Sequence, residues 1–414
     1  MIDDSMNRCK LVCSIVFSII TVSIVKPNHA RAQVKPGIDV LIARHFDLLQ
    51  GRRIGLITNP TGVTSDLRST IDVLKNVPGV RLVALFGPEH GVRGNIMAGK
   101  RVASYVDKKT GLPVYSLYGR VRKPTPEMLK NIDMLVYDIQ DIGNRTYTYI
   151  YTMALAMQAA AEKGIPFVVL DRPNPLGGEL IEGPVLEEKF KSFIGLYPIP
   201  YIYGMTVGEL ARFINNEFGI HCDLSVVPMQ GYRRNMRWPD TGLQWVATSP
   251  HIPHAETALY CAATGIIGEL QTVSEGVGYT QPFQLIGQKW IDPERLAAEL
   301  NRRNLPGVYF RPCYFRPYYF RFQNQELGGV QIHILDPAAF SPMRTQMHLL
   351  HALLKLYPRH NIFRTPRKKQ FDRAMGTDKV RLALMAGQHP DAIMRSWEAD
   401  LRRFMQKRQK YLIY

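Results

Sequence analysis

The sequence predicts an α/β protein, with a parallel sheet flanked by helices followed by a smaller mixed α/β domain. Between residues 53 and 227, short β-branched runs alternate with helical stretches, the pattern of strands joined by helical crossovers. Most of these runs end in polar segments rich in Gly and Pro, which make turns. Near residues 245–254 (WVATSPHIPH) the alternation stops. That change divides the chain into residues 33–255 and 256–414, after an N-terminal segment of residues 1–32.

The elements follow in order. Arg53–Thr58 reads as a strand ending at the turn Asn59-Pro60-Thr61-Gly62. Residues 66–76 read as a helix with Leu67, Ile71 and Leu74 on one face. Residues 81–86 form a strand running into Gly87-Pro88-Glu89-His90-Gly91. Residues 134–137 form another, running into Asp138-Ile139-Gln140-Asp141-Ile142-Gly143. Residues 147–163 read as a helix that Gly164 stops. The strand at 166–170 runs into Asp171-Arg172-Pro173-Asn174-Pro175. A helix over 206–218 and a strand at Leu224–Val227 complete the first part. Beyond it come a helix over 293–302, strand-like segments at 308–322 and 329–335, a helix over 343–356 and a basic helical tail at 391–410.

This arrangement has a functional consequence. In an open parallel sheet the carboxyl ends of the strands lie along one edge, and ligands bind in the crevice there. Asn59, Glu89, His90, Asp138, Asp141, Asp171 and Arg172 should therefore converge, although they are far apart in sequence. One such loop alone would be read as a turn; several on one edge argue for a site.

The N-terminal segment has its own signature. Arg8 and Lys10 precede an apolar run over residues 11–25, and Ala30-Arg31-Ala32 offers small residues around a cut before Gln33. That is the layout of a secretory signal peptide, and the run is short for a membrane span, which needs roughly 20 apolar residues. The expectation is an exported protein, periplasmic or secreted, with no stable membrane insertion after signal removal. The chain has 414 residues and a net charge of +17; residues 1–32 hold four basic and two acidic side chains, which leaves +15 on the rest. Basic chains are drawn to polyanions. Export and the lack of a nucleic-acid-binding motif set nucleic acid aside. Carboxylate-bearing wall fragments or phosphate-bearing envelope lipids suit the charge better. Beyond residue 32 the cysteines are Cys222, Cys261 and Cys313. They show neither C-x-x-C spacing nor a metal-ligand cluster, and are expected as buried thiols.

Several chemistries lack their motifs. There is no G-x-G-x-x-G after the first strand, no Walker A loop, no H-E-x-x-H and no G-x-S-x-G. No cofactor and no metal are expected. What remains are carboxylates, arginines and aromatics on loops, a set suited to glycoside hydrolysis, where one carboxylic acid protonates the leaving oxygen. Glu89, between Pro88 and His90 in a stiff loop, is the acid candidate, since a carboxyl shielded from water keeps its proton near neutral pH. His90 would orient it or bond a sugar hydroxyl. Asp138 and Asp141 would supply a second carboxylate, or else anchor their loop. Arg93 and Arg145 are candidates for gripping a substrate carboxylate through the planar guanidinium, or else loop braces. Tyr147, Tyr149 and Tyr151 offer either a stacking wall or core. In the second part, Glu269 and Ser274-Glu275-Gly276-Val277-Gly278-Tyr279 offer acids beside a Gly-rich loop that could close over a cleft.

Taken together and in order, several of these segments resemble one family. They are Gly55-Leu56-Ile57-Thr58-Asn59-Pro60-Thr61-Gly62, Phe86-Gly87-Pro88-Glu89-His90-Gly91-Val92-Arg93-Gly94, Asp138-Ile139-Gln140-Asp141-Ile142-Gly143-Asn144-Arg145, Asp171-Arg172-Pro173-Asn174-Pro175, Glu182-Gly183-Pro184, Ser249-Pro250-His251-Ile252-Pro253, Ser274-Glu275-Gly276 and Tyr411-Leu412-Ile413-Tyr414. The chain resembles the NamZ-type exo-β-N-acetylmuramidases from about Gly37 to its end. The resemblance implies a Rossmann-like catalytic domain, a smaller C-terminal domain and a site in the cleft between them. It implies release of terminal N-acetylmuramic acid from the non-reducing end of peptidoglycan fragments. The family's Glu-His pair falls on Glu89 and His90, and its Asp-x-Gln-Asp loop on Asp138 and Asp141. Substrate-assisted attack by the acetamido group, oriented by an Asp, is one route for the second half of the reaction. Two places depart from the family pattern: Val277 stands where an Arg is common, and where a Cys often precedes Gly-Val this chain has Leu327-Gly328-Gly329-Val330. Two other readings stay open from sequence, a non-catalytic binding protein for peptidoglycan fragments and a related exo-glycosidase preferring N-acetylglucosamine.

Overall fold

Runs of aliphatic and β-branched residues become central strands here because both of their faces are buried. Ile54, Leu56, Val136, Val168 and Leu170 pack on one side of the larger sheet. Ile57, Leu135, Tyr137, Phe167 and Val169 pack on the other. In this computed structural model residues 33–94 and 104–414 are described; the signal-peptide reading of residues 1–32 lies outside them. The larger sheet holds β1 (Arg53–Thr58), β2 (Arg81–Gly87), β3 (Tyr105–Val106), β4 (Pro113–Ser116), β5 (Met134–Asp138), β6 (Phe167–Leu170) and β7 (Leu224–Val227). Their spatial order is β3-β4-β2-β1-β5-β6-β7. Only β3 runs antiparallel, against β4. The other neighbours are parallel. Counted among the parallel strands alone, the order runs third, second, first, fourth, fifth, sixth, as in Rossmann folds.

β3 and β4 were not anticipated. Only Val114 of β4 is buried, so its hydrophobic signal is faint. The helix expected over 66–76 is confined to Thr70–Lys75. Ahead of it Leu67 takes a left-handed φ of 67° and is half exposed, while Thr64 Oγ1 accepts from Arg68 N and bonds Asp66. A side-chain-stabilised turn has replaced the first helical turn there.

The second sheet is antiparallel, β8-β10-β9, with β8 (Leu285–Gln288), β9 (Val308–Phe315) and β10 (Leu327–Ile334). The helices Thr257–Gly268, Pro293–Asn301 and Pro342–Leu356 contribute to one core with it. That core also takes in Ile142, Leu176, Tyr201 and Ile202 from loops of the larger sheet, and the chain from residue 33 on packs as one compact unit. The strand expected over 308–322 ends at Phe315, and the chain then turns through left-handed Phe320, Phe322 and Asn324. The basic tail is two helices, Pro390–Arg395 and Glu398–Arg408. Among the described residues no helix is long and apolar enough to cross a membrane. Cys222, Cys261 and Cys313 are free thiols; Cys222 is buried, whereas the other two, expected to be so, are half-buried.

Candidate active site

The strand order reverses between β1 and β5, so the crevice of the larger sheet opens at the loops that follow them. Thr58 pairs with Asp138 at that point. After β1, the Asn59 side chain is 2% exposed. Its Oδ1 accepts from Thr61 N at 2.9 Å and from Thr61 Oγ1 at 2.5 Å. The Asn59 side chain also reaches the Tyr149 phenol. Thr61 Oγ1 in turn accepts from Gln140 N at 2.8 Å, which ties the two loops together.

β2 delivers Glu89. Gly91 N donates to Pro88 O at 3.0 Å, and the turn so formed puts His90 at φ 71°. A non-glycine residue in this region is held there by its surroundings, a feature common at functional sites. His90 is buried and Glu89 half-buried. Thr148 Oγ1 lies 3.5 Å from Glu89 Oε2. Burial, and then the adjoining Glu89 carboxylate, push the Tyr118 phenol up. Burial also raises Tyr149, with the Glu89 and Asp141 carboxylates adding to the rise. The charges of Glu89 and Asp141 are thus both felt at Tyr149. Next to it, Tyr147 Oη donates to Thr248 Oγ1 at 2.8 Å and Tyr149 Oη to Thr248 O at 2.6 Å. These bonds bring the segment carrying His251 to the site.

The remaining candidates from sequence are mostly engaged elsewhere. Asp138 is wholly buried, accepts from Arg172 Nε at 2.5 Å and Nη2 at 2.9 Å, and takes Thr70 Oγ1 at 2.5 Å. Arg172, 4% exposed, also donates to Val63 O. Asp141 Oδ2 accepts from Gly143 N and from Tyr203 Oη, its Oδ1 has no partner, and burial pushes its pKa up to about 6. Asp171 takes four donors, Arg172 N, Gly208 N, Thr206 Oγ1 and Tyr414 Oη; burial raises it to about 6. This geometry makes Asp171 an anchor for the helix Val207–Glu217 and not a ligand group. Arg145 is wholly buried, and its two terminal nitrogens donate to the carbonyls of Pro184, Ile199, Ala374 and Met375, a brace with no room for a substrate carboxylate. Arg93 forms a two-point pair with Asp107 and lowers it to about 2. Glu275, raised by burial, faces Arg321 Nη2 at 3.3 Å, and Glu269 pairs with Arg367.

Sequence reading missed the loop after β4. Because β4 runs parallel to β2, that loop emerges on the same edge, carrying Tyr118 and Arg122. The Arg122 guanidinium is exposed and lies 4.1 Å from the Phe193 ring centroid. Phe193 and Tyr118 have ring centroids 6.4 Å apart. Recognising Pro113–Ser116 as a strand was the signal that would have found both. Among the described residues no group of three or more His, Cys, Asp or Glu could hold a metal ion.

Comparison with known proteins agrees with this architecture. Residues 54–256 match the N-terminal family model of the exo-β-N-acetylmuramidase NamZ, and residues 259–414 its C-terminal model. The peptidoglycan β-N-acetylmuramidase NamZ of Bacillus subtilis (strain 168) is 47% identical over 404 residues, covering 96% of this chain and 97% of that protein. Two crystal structures of DUF1343 family proteins from Bacteroides fragilis NCTC 9343 superpose with TM-scores of 0.88 and 0.72, at 48% and 30% identity. Each covers 92% of this chain and is itself 99% covered. With both family models matched in order and nearly half of the residues shared along the whole B. subtilis enzyme, the chain belongs to the NamZ exo-β-N-acetylmuramidase family.

Proposed function

We propose that this protein is an exo-acting glycoside hydrolase that releases N-acetylmuramic acid from the non-reducing end of peptidoglycan fragments. The observation that carries the mechanism is the placement of Glu89. It is a half-buried carboxyl at the end of β2, between Thr148 and Tyr118 and beside the switch-point crevice. Glu89 donates its proton to the glycosidic oxygen as the C1–O bond breaks. Of the carboxylates offered as its partners, Asp138 is closed in by Arg172 and Thr70, and Asp141 is buried with its Oδ2 held by Gly143 N and Tyr203 Oη. The nucleophile is then the substrate's own 2-acetamido oxygen, which closes on C1 to give an oxazolinium ion. Water opens that ion, and the Glu89 carboxylate takes its proton back. The overall result is retention at C1. Asn59, buried next to the Tyr149 phenol, is the side-chain amide placed to hold a sugar oxygen.

Muramic acid differs from glucosamine by its lactyl carboxylate. With Arg93, Arg145 and Arg172 engaged, the cation suited to that group is Arg122, exposed on the rim and stacked on Phe193 next to Tyr118. Guanidinium recognises carboxylate by two parallel bonds. Export through residues 1–32 accords with this activity, since the substrate lies outside the cytoplasm.

Chromogenic β-N-acetylmuramide and β-N-acetylglucosaminide test both assignments. Glu89→Gln should lower muramide turnover by about 10²-fold or more, and the first-formed sugar from wild type should be the β-anomer. Arg122→Leu should lower muramide kcat/KM by about 10-fold or more while leaving the glucosaminide rate alone. Equal turnover by Glu89→Gln and wild type removes Glu89 from the reaction. A loss on both donors alike removes Arg122 from lactyl recognition.

A further inference from the structure

We propose that the exposed aromatic loop of residues 317–322, stacked beside His251, is the subsite for the pyranose ring on the leaving side of the cleaved bond. This rests on the exo-muramidase reading above and adds where the rest of the saccharide goes. Tyr318, Tyr319 and Phe320 are 61%, 48% and 56% exposed. Three adjoining aromatics in water are unusual, because such side chains bury large apolar areas when they can. Their neighbourhood explains the exposure. The Tyr319 ring lies 6.2 Å from the His251 ring at 22°, and Phe320 lies 6.3 Å from it at 44°. His251 is three residues from Thr248, which the Tyr147 and Tyr149 hydroxyls bind. Thr148, between those tyrosines, meets Glu89. Burial, then the neighbouring His90 and Arg321, hold His251 below the usual imidazole range. Thr148, its flanking tyrosines and Thr248 thus connect the Glu89 loop to His251 and the aromatic ledge.

The ledge is rigid. Tyr318 N donates to Gly278 O at 2.7 Å, and the Tyr318 ring stacks on Tyr279 at 5.4 Å. A Cβ on Gly278, whose φ is 99°, would stand 2.2 Å from Tyr319 O. Only glycine permits that approach. Arg321 sits 4.8 Å from the Phe320 ring centroid and donates to Gly268 O at 2.7 Å and Glu275 Oε1 at 3.3 Å. Phe320 and Phe322 are held at left-handed φ of 66° and 61°, conformations that bulky residues adopt only when their surroundings fix them. A preset apolar face of this kind matches the C–H face of a pyranose and loses little freedom on binding. An exo-acting site holds one sugar on the donor side, so the remaining saccharide extends toward solvent, where the ledge stands.

The test uses two muramic donors that differ only beyond the cleaved bond. One is the disaccharide N-acetylmuramyl-β-1,4-N-acetylglucosamine; the other is the 2,2,2-trifluoroethyl β-muramide, whose leaving group is small and not aromatic. Tyr319→Ala and Phe320→Ala should each lower kcat/KM on the disaccharide by about 10-fold and leave the trifluoroethyl donor within about twofold of wild type. Tyr319→Phe should behave as wild type on both. Equal loss on both donors, or no loss on either, overturns the assignment. So does a fall in the sedimentation coefficient of the alanine variants, which would give the ledge to a second copy of the chain. Wild-type inactivity on both donors is a separate outcome: it removes the muramidase reading, and with it a subsite defined by that bond.

Discussion

Two kinds of carboxyl stand at the carboxyl edge of the sheet, and their surroundings separate them. Glu89 is half-buried between hydroxyls, while Asp141 is sealed in the protein, with burial raising its pKa to about 6 against the pull of Tyr203 and the Gly143 amide. An unfolded Asp titrates near ~3.9, so the native state binds this proton more tightly than the unfolded one. The stability it contributes is complete below about pH 4 and is lost as the pH rises through about 6, to at most about 3 kcal/mol. Asp141→Asn keeps an oxygen for Gly143 N and Tyr203 Oη and removes the titration. Urea unfolding at pH 4.5 and pH 7 should show wild type losing more stability across that interval than the variant. His348 and His351, which burial holds below the usual imidazole range, act with the opposite sign, but they are common to both proteins and cancel in the difference. Identical losses would mean that Asp141 ionises as freely in the folded chain as in the unfolded one.

At the level of the element, the helix Val207–Glu217 shows how a local signal acquires a distant role. Thr206 and Glu209 form a reciprocal capping box, and the helix start there was legible because that pattern is local. What the box is bound to was not. Glu209 is wholly buried, pairs with Arg234, and accepts from Ile413 N at 2.8 Å. Tyr414 Oη donates to Asp171 Oδ2 at 2.9 Å and accepts from Met229 N at 2.6 Å. Tyr414→Phe leaves a buried acceptor and a buried amide each short of a partner, which should cost about 1–3 kcal/mol in urea unfolding, with KM for muramide unchanged. An unaltered midpoint would place the C-terminal contact outside the folded core. The same contrast governs the rest of the chain. β1, β2, β5 and β6 were readable because they are continuous apolar runs buried on both faces. The edge strand β3 and its neighbour β4 were not, since a half-exposed Pro-Val-Tyr-Ser resembles a loop, and Tyr118 and Arg122 were lost with them. Asp171 and Arg145 carry the residue types of a binding site, and only their partners, far away in sequence, show them to be supports.

Arg145 bears on the molecule as a whole. It follows β5 in the larger sheet, yet two of its four carbonyl partners, on Ala374 and Met375, end the helix Lys368–Met375, which packs with the second sheet. Burial without a carboxylate pushes its pKa down to about 10, and Gly376, at φ 84°, leaves room for it: a Cβ there would stand 2.5 Å from Nη2. A charge is held in this position because it satisfies carbonyls that would otherwise be orphaned at the junction of the two sheets. Lysine cannot reproduce it, having three donors on a single nitrogen in place of the guanidinium fan. Arg145→Lys should therefore lower stability by about 3 kcal/mol or more. It should also separate the unfolding midpoints seen by tryptophan fluorescence and by circular dichroism, because the two sheets lose a shared support. Below the transition the folded variant should bind muramide with wild-type KM. A raised KM with an unchanged midpoint would reverse the assignment and return Arg145 to the substrate, so measuring both quantities on this one protein decides whether the cleft is assembled by its ligand groups or by the brace behind them.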